Sequence, residues 1–218
     1  MHYDSLQIVR FWLVEVNFIY YIFISCGGSY LTTPGSDAQI CIWSTSKGSL
    51  LQTISCTMSR PIMDIIWATN KHNDLALIFS CADGSIHLYV RALNKASSWD
   101  FKHVKMIHAH GSHVESLDFD PINRMLASIR KGKVKLWKVD SDWAVTLVLT
   151  EVPRGFIARS VHFFNEGNSI MVTYLKLHRM WGNVLKWLTV GFDISSSRLA
   201  WNIYPWSFMW EHPTFSRV

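Results

Sequence analysis

Residues 109–140 read AHGSHVESLDFDPINRMLASIRKGKVKLWKVD. Three short runs stand in this stretch: Val114 to Phe119 (VESLDF), Met125 to Ser128 (MLAS) and Lys131 to Trp137 (KGKVKLW); a fourth, Trp143 to Leu149, follows. Runs this short suit strands and not helices. In the third run Val134 and Leu136 alternate with Lys133 and Lys135, so one face is apolar and the other polar. The order is strand, loop, strand, tight turn, strand, loop, strand.

The same order recurs upstream. Asp37 to Trp43 (DAQICIW) and Asp83 to Tyr89 (DGSIHLY) align with Lys131 to Trp137 around one aromatic residue, at intervals of 46 and 48. Before them lie Tyr30-Leu31-Thr32-Thr33 and Leu75 to Ser80 (LALIFS), and earlier still Phe18 to Ile24 and Ile62 to Trp67 (IMDIIW). After them come Leu50 to Ile54 and Phe101 to Ile107. Asp83-Gly84 is a tight-hairpin signal, of which Lys131-Gly132 keeps the glycine. A fainter fourth unit has Arg159 to Phe164, Ser169 to Leu175, Trp187 to Ile194 and Arg198 to Ile203, with Phe192-Asp193 at the aromatic position, 55 residues after Trp137. Repeats of roughly 40–45 residues are the length of one four-stranded propeller blade.

This pattern resembles the WD-repeat β-propeller family. In residues 109–140, His110 stands at the family's Gly-His, Phe119-Asp120-Pro121 at its Phe-Ser-Pro-like segment, and Trp137 at the Trp of its Trp-Asp pair. The aromatic is followed by Ser44, Val90 and Lys138, so the literal Trp-Asp pair is missing from these units. The resemblance implies an all-β propeller of four-stranded antiparallel blades, about four of them, in an open or incomplete ring. The implied blades cover about 18–56, 61–109, 110–151 and 157–203, after an apolar segment 1–17 that is a candidate extra strand and before a tail 204–218. It further implies structural positions at Thr33, Asp37 and Trp43 in the first unit, Asp83 and Tyr89 in the second, and His110, Ser128 and Trp137 in the third, where Lys131 replaces the expected Asp.

Composition narrows the function. The chain has 218 residues, 21 Lys and Arg against 16 Asp and Glu, and 11 Trp, 7 Tyr and 12 Phe. So much apolar material excludes intrinsic disorder. The net charge of +5 is mild, so it does not of itself imply nucleic acid. Phe11 to Cys26 (FWLVEVNFIYYIFISC) holds Glu15 and Asn17 and falls short of the ~20 apolar residues of a spanning helix, so buried strand is the expectation.

The candidate chemistry is sparse. His103, His108, His110 and His113 cluster in a connection between units, and zinc would need three or four converging ligands. Cys26, Cys41, Cys56 and Cys81 form no C-x-x-C pair, so they are expected as reduced thiols of an intracellular, cytoplasmic or nuclear protein. No metal or other cofactor is expected. Arg130, Lys131, Lys133, Lys135 and Lys138 form a candidate basic surface for an acidic partner or phosphates. Enzyme signatures such as G-x-S-x-G or H-E-x-x-H are missing, and a hydrolase on this scaffold would need acids converging in the central channel. The expected role is a non-catalytic scaffold that presents loops to other proteins, with self-association through exposed blade edges as a further expectation. A membrane-attached propeller and a nucleic-acid-associated one using the basic stretch are the alternatives.

Overall fold

The computed structural model describes residues 22–25, 27–35, 37–56, 60–69, 74–91, 100–151, 157–164, 166–167, 169–176, 186–193 and 202–204. The apolar segment 1–17 and residues 205–218 of the tail lie outside the described residues.

Sixteen strands occur in the described residues, in four sheets of four. Sheet one holds β1 (Phe23–Ile24), β2 (Tyr30–Pro34), β3 (Gln39–Ser44) and β4 (Leu50–Ser55). Sheet two holds β5 (Ile62–Thr69), β6 (Leu75–Cys81), β7 (Ser85–Arg91) and β8 (Lys102–His108). Sheet three holds β9 (Ser116–Asp120), β10 (Met125–Arg130), β11 (Lys133–Val139) and β12 (Val145–Glu151). Sheet four holds β13 (Ile157–Phe164), β14 (Ser169–Lys176), β15 (Lys186–Asp193) and β16 (Asn202–Tyr204). Each is an antiparallel meander in chain order.

The aromatic residues occupy one register. Trp43 pairs with Leu31, Tyr89 with Leu77, Trp137 with Leu126, and Phe192 with Ile170. In sheets one to three the pairing of third and fourth strands slips immediately before the aromatic, at Ile42/Trp43, Leu88/Tyr89 and Leu136/Trp137. A bulge at this place raises the local twist of the outer strands.

Alternation along each strand feeds two different interfaces. Leu77 and Phe79 face sheet one in a core with Ile40, Ile42 and Ile54. Their neighbours Ala76 and Ile78 face sheet three in a core with Leu117, Leu126 and Trp137. Met125, Ala127 and Ile129 repeat the arrangement towards Val161, Ile170 and Val172 of sheet four. All seven residues of β6 are therefore buried. The first strands pack in succession, β1 on β5, β5 on β9 and β9 on β13, with no comparable contact between β13 and β1. The described sheets thus form an open arc of propeller blades, each covered by the next. No helix among the described residues is long and apolar enough to cross a membrane.

Candidate interaction surface

In such a meander the start of the first strand and the hairpin between second and third strands share one end of the blade. In blade three these are residues 109–115 and the Lys131–Gly132 turn. Glu115 organises this end: its carboxylate accepts the Lys131 amide at 3.2 Å and lies 3.6 Å from Arg159 and 3.9 Å from His113. Lys131 and Lys133 are exposed and Arg130 half-buried, so one carboxylate faces a larger number of basic groups.

The basic stretch does not form one surface. Arg130 pairs with Lys133 at the hairpin, whereas Lys138 pairs with Met125 at the opposite end of the blade. Five residues of strand separate Lys133 from Lys138, about 17 Å at 3.3–3.4 Å each. Lys138 donates there to the Asn123 carbonyl at 2.6 Å. Lys135 lies half-buried between the ends, over the Trp137 ring at 5.4 Å, with its ammonium on the Ala109 carbonyl at 2.5 Å.

Behind the hairpin runs a buried polar chain. The Trp137 indole donates to Ser128 at 3.0 Å, and Ser128 lies 3.0 Å from His110 Nε2. Burial, then Lys135, Arg130 and Lys133, bring the His110 pKa down to about 4, so the ring is neutral at pH 7. Ser128 already accepts the indole proton, so we assign its own hydroxyl proton to Nε2 and the ring proton to Nδ1. That Nδ1 is buried and has no partner among the described residues. Lys131, which stands where the resemblance implies an aspartate, offers no acceptor there. Lys131→Asp should therefore stabilise the fold, by about 1.5–3 kcal/mol if the carboxylate reaches Nδ1. It should also raise the His110 pKa. Denaturant melts and histidine titration by NMR check both; an unchanged His110 pKa would count against the missing acceptor.

The other units differ. In blade one Trp43 donates to Thr33 at 3.1 Å, while Asp37 accepts the Gln39 amide at 3.1 Å. In blade two Asp83 accepts the Ser85 amide and hydroxyl at 2.9 and 2.6 Å. Tyr89 has no indole donor and packs on Phe79 and His103, and the buried Ser80 hydroxyl is left without a partner among the described residues.

Along the first strands runs a groove of about 530 Å³, lined in part by Asp64, Trp67, Glu115, Asp118, Arg159 and His162. The acids here are spent on clasping blades. Asp64 accepts the Ile65 amide at 2.9 Å and the Leu117 amide of the next blade at 2.7 Å. Asp118 does the same with Phe119 at 2.9 Å and Phe163 at 2.6 Å. Burial outweighs these amides and lifts Asp64 to about 6; Asp118 is raised for the same reason.

One constellation was not foreseen from spacing: Cys56, Cys81 and His87 are buried together between blades one and two. Repeat position offered a signal. Cys56 lies six residues before β5, as His110 lies six before β9, and His87 precedes the aromatic by two.

Stacked four-stranded meanders with a common aromatic register define a repeat scaffold of the propeller class. Residues 101–138 match the family described as "WD domain, G-beta repeat". Among curated proteins it is 28% identical over 132 residues to Protein HIR1 of Gibberella zeae, covering 56% of this chain and 12% of that one. Protein HIR1 of Chaetomium globosum is 28% identical over 118 residues, 50% of this chain and 11% of that one. The chain thus spans about an eighth of the length of these relatives. Among solved structures it resembles "Structure of U3-55K" (TM-score 0.62, 14% identity, 85% of this chain and 51% of that one). It also resembles a chain of "Crystal Structure of Mitotic Checkpoint Complex" (TM-score 0.62, 16% identity, 86% and 51%). "Crystal structure of RRP9 WD40 repeats" gives a TM-score of 0.63 at 14% identity, with 85% and 50% covered. At these identities the structural likenesses concern the fold.

Proposed function

We propose that the chain is a non-catalytic interaction scaffold of an intracellular protein assembly, and that the hairpin end of blade three binds acidic segments of protein partners. The observation that carries this is the exposed pair Lys131 and Lys133, set beside Arg130 of the same blade and Arg159 of blade four, where the blade's own acid, Glu115, is already engaged. Polar groups such as buried Ser128 and half-buried Asp64 and Asp118 are used between strands and blades, which favours a scaffold over a reaction centre. Affinity would come from a few basic and aromatic anchors, with charge setting the encounter rate.

The test is a titration of the chain with an acidic peptide, a neutral peptide of equal length and single-stranded RNA, over a range of salt. Binding of the acidic peptide alone, weakening as salt rises, is expected. Lys131→Glu with Lys133→Glu should reduce that binding at least about tenfold, a change of ~1.4 kcal/mol, in a chain that still melts cooperatively. Tighter binding to RNA than to the peptide would move the reading to nucleic acid.

A further inference from the structure

We propose that Cys56, Cys81 and His87 form a metal site that takes one thiophilic d¹⁰ ion, Zn²⁺ or Cu⁺, and pins blade one to blade two. The three residues come from different places in the fold. Cys56 follows β4 and continues that strand's pairing, its amide donating to the Ala38 carbonyl at 2.9 Å. Cys81 ends β6, and His87 lies in the middle of β7. Any ion they share therefore crosses a blade interface, the place that His110 and Ser128 occupy one blade later.

The donor set suits soft metal chemistry. Two sulfurs and one imidazole are the ligands that Zn²⁺ and Cu⁺ prefer. Their ligand atoms lie within 4.8 Å of one another. The sulfurs are 3.3 Å apart, and Cys56 Sγ is 4.0 Å from His87 Nε2. Metal–sulfur bonds of about 2.3 Å at a tetrahedral angle place two sulfurs about 3.8 Å apart, so a small opening of the thiol pair suffices. All three residues are buried, at 4%, 0% and 2% exposure.

The surroundings fix the imidazole, and Ser85 occupies its Nε2 until an ion displaces it. Phe79 stacks on His87 with ring centroids 5.1 Å apart. Ser85, itself held by Asp83, lies 3.0 Å from His87 Nε2. Ser85 gives its only proton to the Asp83 carboxylate, so His87 Nε2 donates to Ser85 in the metal-free chain. Binding shifts that proton to Nδ1, releases the two thiol protons to solvent, and forms two sulfur–metal bonds and one nitrogen–metal bond. No electron changes hands.

The experiment uses the full 218-residue chain, reduced, stripped with a chelator and kept free of oxygen. It is titrated with Zn²⁺ against a zinc indicator and with Cu⁺ against a copper(I) chelator, and the two titrations decide which ion is held. One equivalent should bind, and binding should raise the melting temperature. Cys56→Ser and Cys81→Ser should each weaken binding by more than the ~10–100-fold of an outer-shell change, and should abolish the thermal shift. Cys41→Ser should change neither. Independently of the variants, the wild-type chain loaded with Co²⁺ should show thiolate-to-cobalt absorption. Failure to bind either Zn²⁺ or Cu⁺, zinc binding with no cobalt bands, binding that survives in both serine variants, or a Cys56–Cys81 disulfide in chain alkylated at lysis would overturn the site.

Discussion

Trp137→Ala should cost about 3–5 kcal/mol, the range for truncating a large buried aromatic. Trp137 is 7% exposed and packs in the core between blades two and three with Ile78, Leu88 and Leu126. It also supplies the donor to Ser128. Removing it opens a void that two sheets cannot both relax to fill. Trp43→Ala should cost at least about 1 kcal/mol less. Trp43 makes the same bond to a hydroxyl, on Thr33, but it is half-buried and points to the face of β3 opposite Ile40 and Ile42, away from blade two. Matched denaturant melts measure the pair, and equal losses would contradict the interior placement of Trp137.

Gly84→Ala should cost about 2–4 kcal/mol for the addition of one methyl group. Gly84 has φ +90°, and a Cβ built there lies 2.2 Å from the His110 carbonyl oxygen and 2.5 Å from that of Ser112. These are backbone atoms of the loop entering blade three. The same loop hangs on Gly84, whose carbonyl accepts the Ala109 and His110 amides at 3.1 and 3.0 Å. A methyl group must push the loop away, drawing His110 from Ser128. Gly27→Ala is the control: φ is +83° but nothing lies within 4 Å, so only the left-handed conformation is charged, about 1 kcal/mol. If the two variants lose the same stability, the close approach of blades at Gly84 is wrong.

Much of the blade was legible because strands write a period of two into sequence. The alternation in KVKLW and IHLY gave strands, Asp83-Gly84 gave a hairpin, and the spacing of Trp43, Tyr89 and Trp137 gave a repeat. Those three aromatics do share one register. The same local logic misled for the basic stretch. Arg130 to Lys138 is continuous in sequence, but a hairpin followed by an extended strand carries Lys138 to the far end of the blade. The bulge beside each aromatic also has no local mark in composition.

By itself the sequence determined the strands, their order and the recurring aromatic, since each depends on neighbours a few residues apart. The tertiary structure alone decided what meets across blades: Asp64 on the Leu117 amide, Gly84 under His110, Cys56 beside Cys81 and His87. Those contacts join residues about 25–50 positions apart along the chain, and the stacking angle of twisted sheets chooses them. Side-chain alternation says which face of a strand is covered, and is silent on which atom of the next sheet covers it.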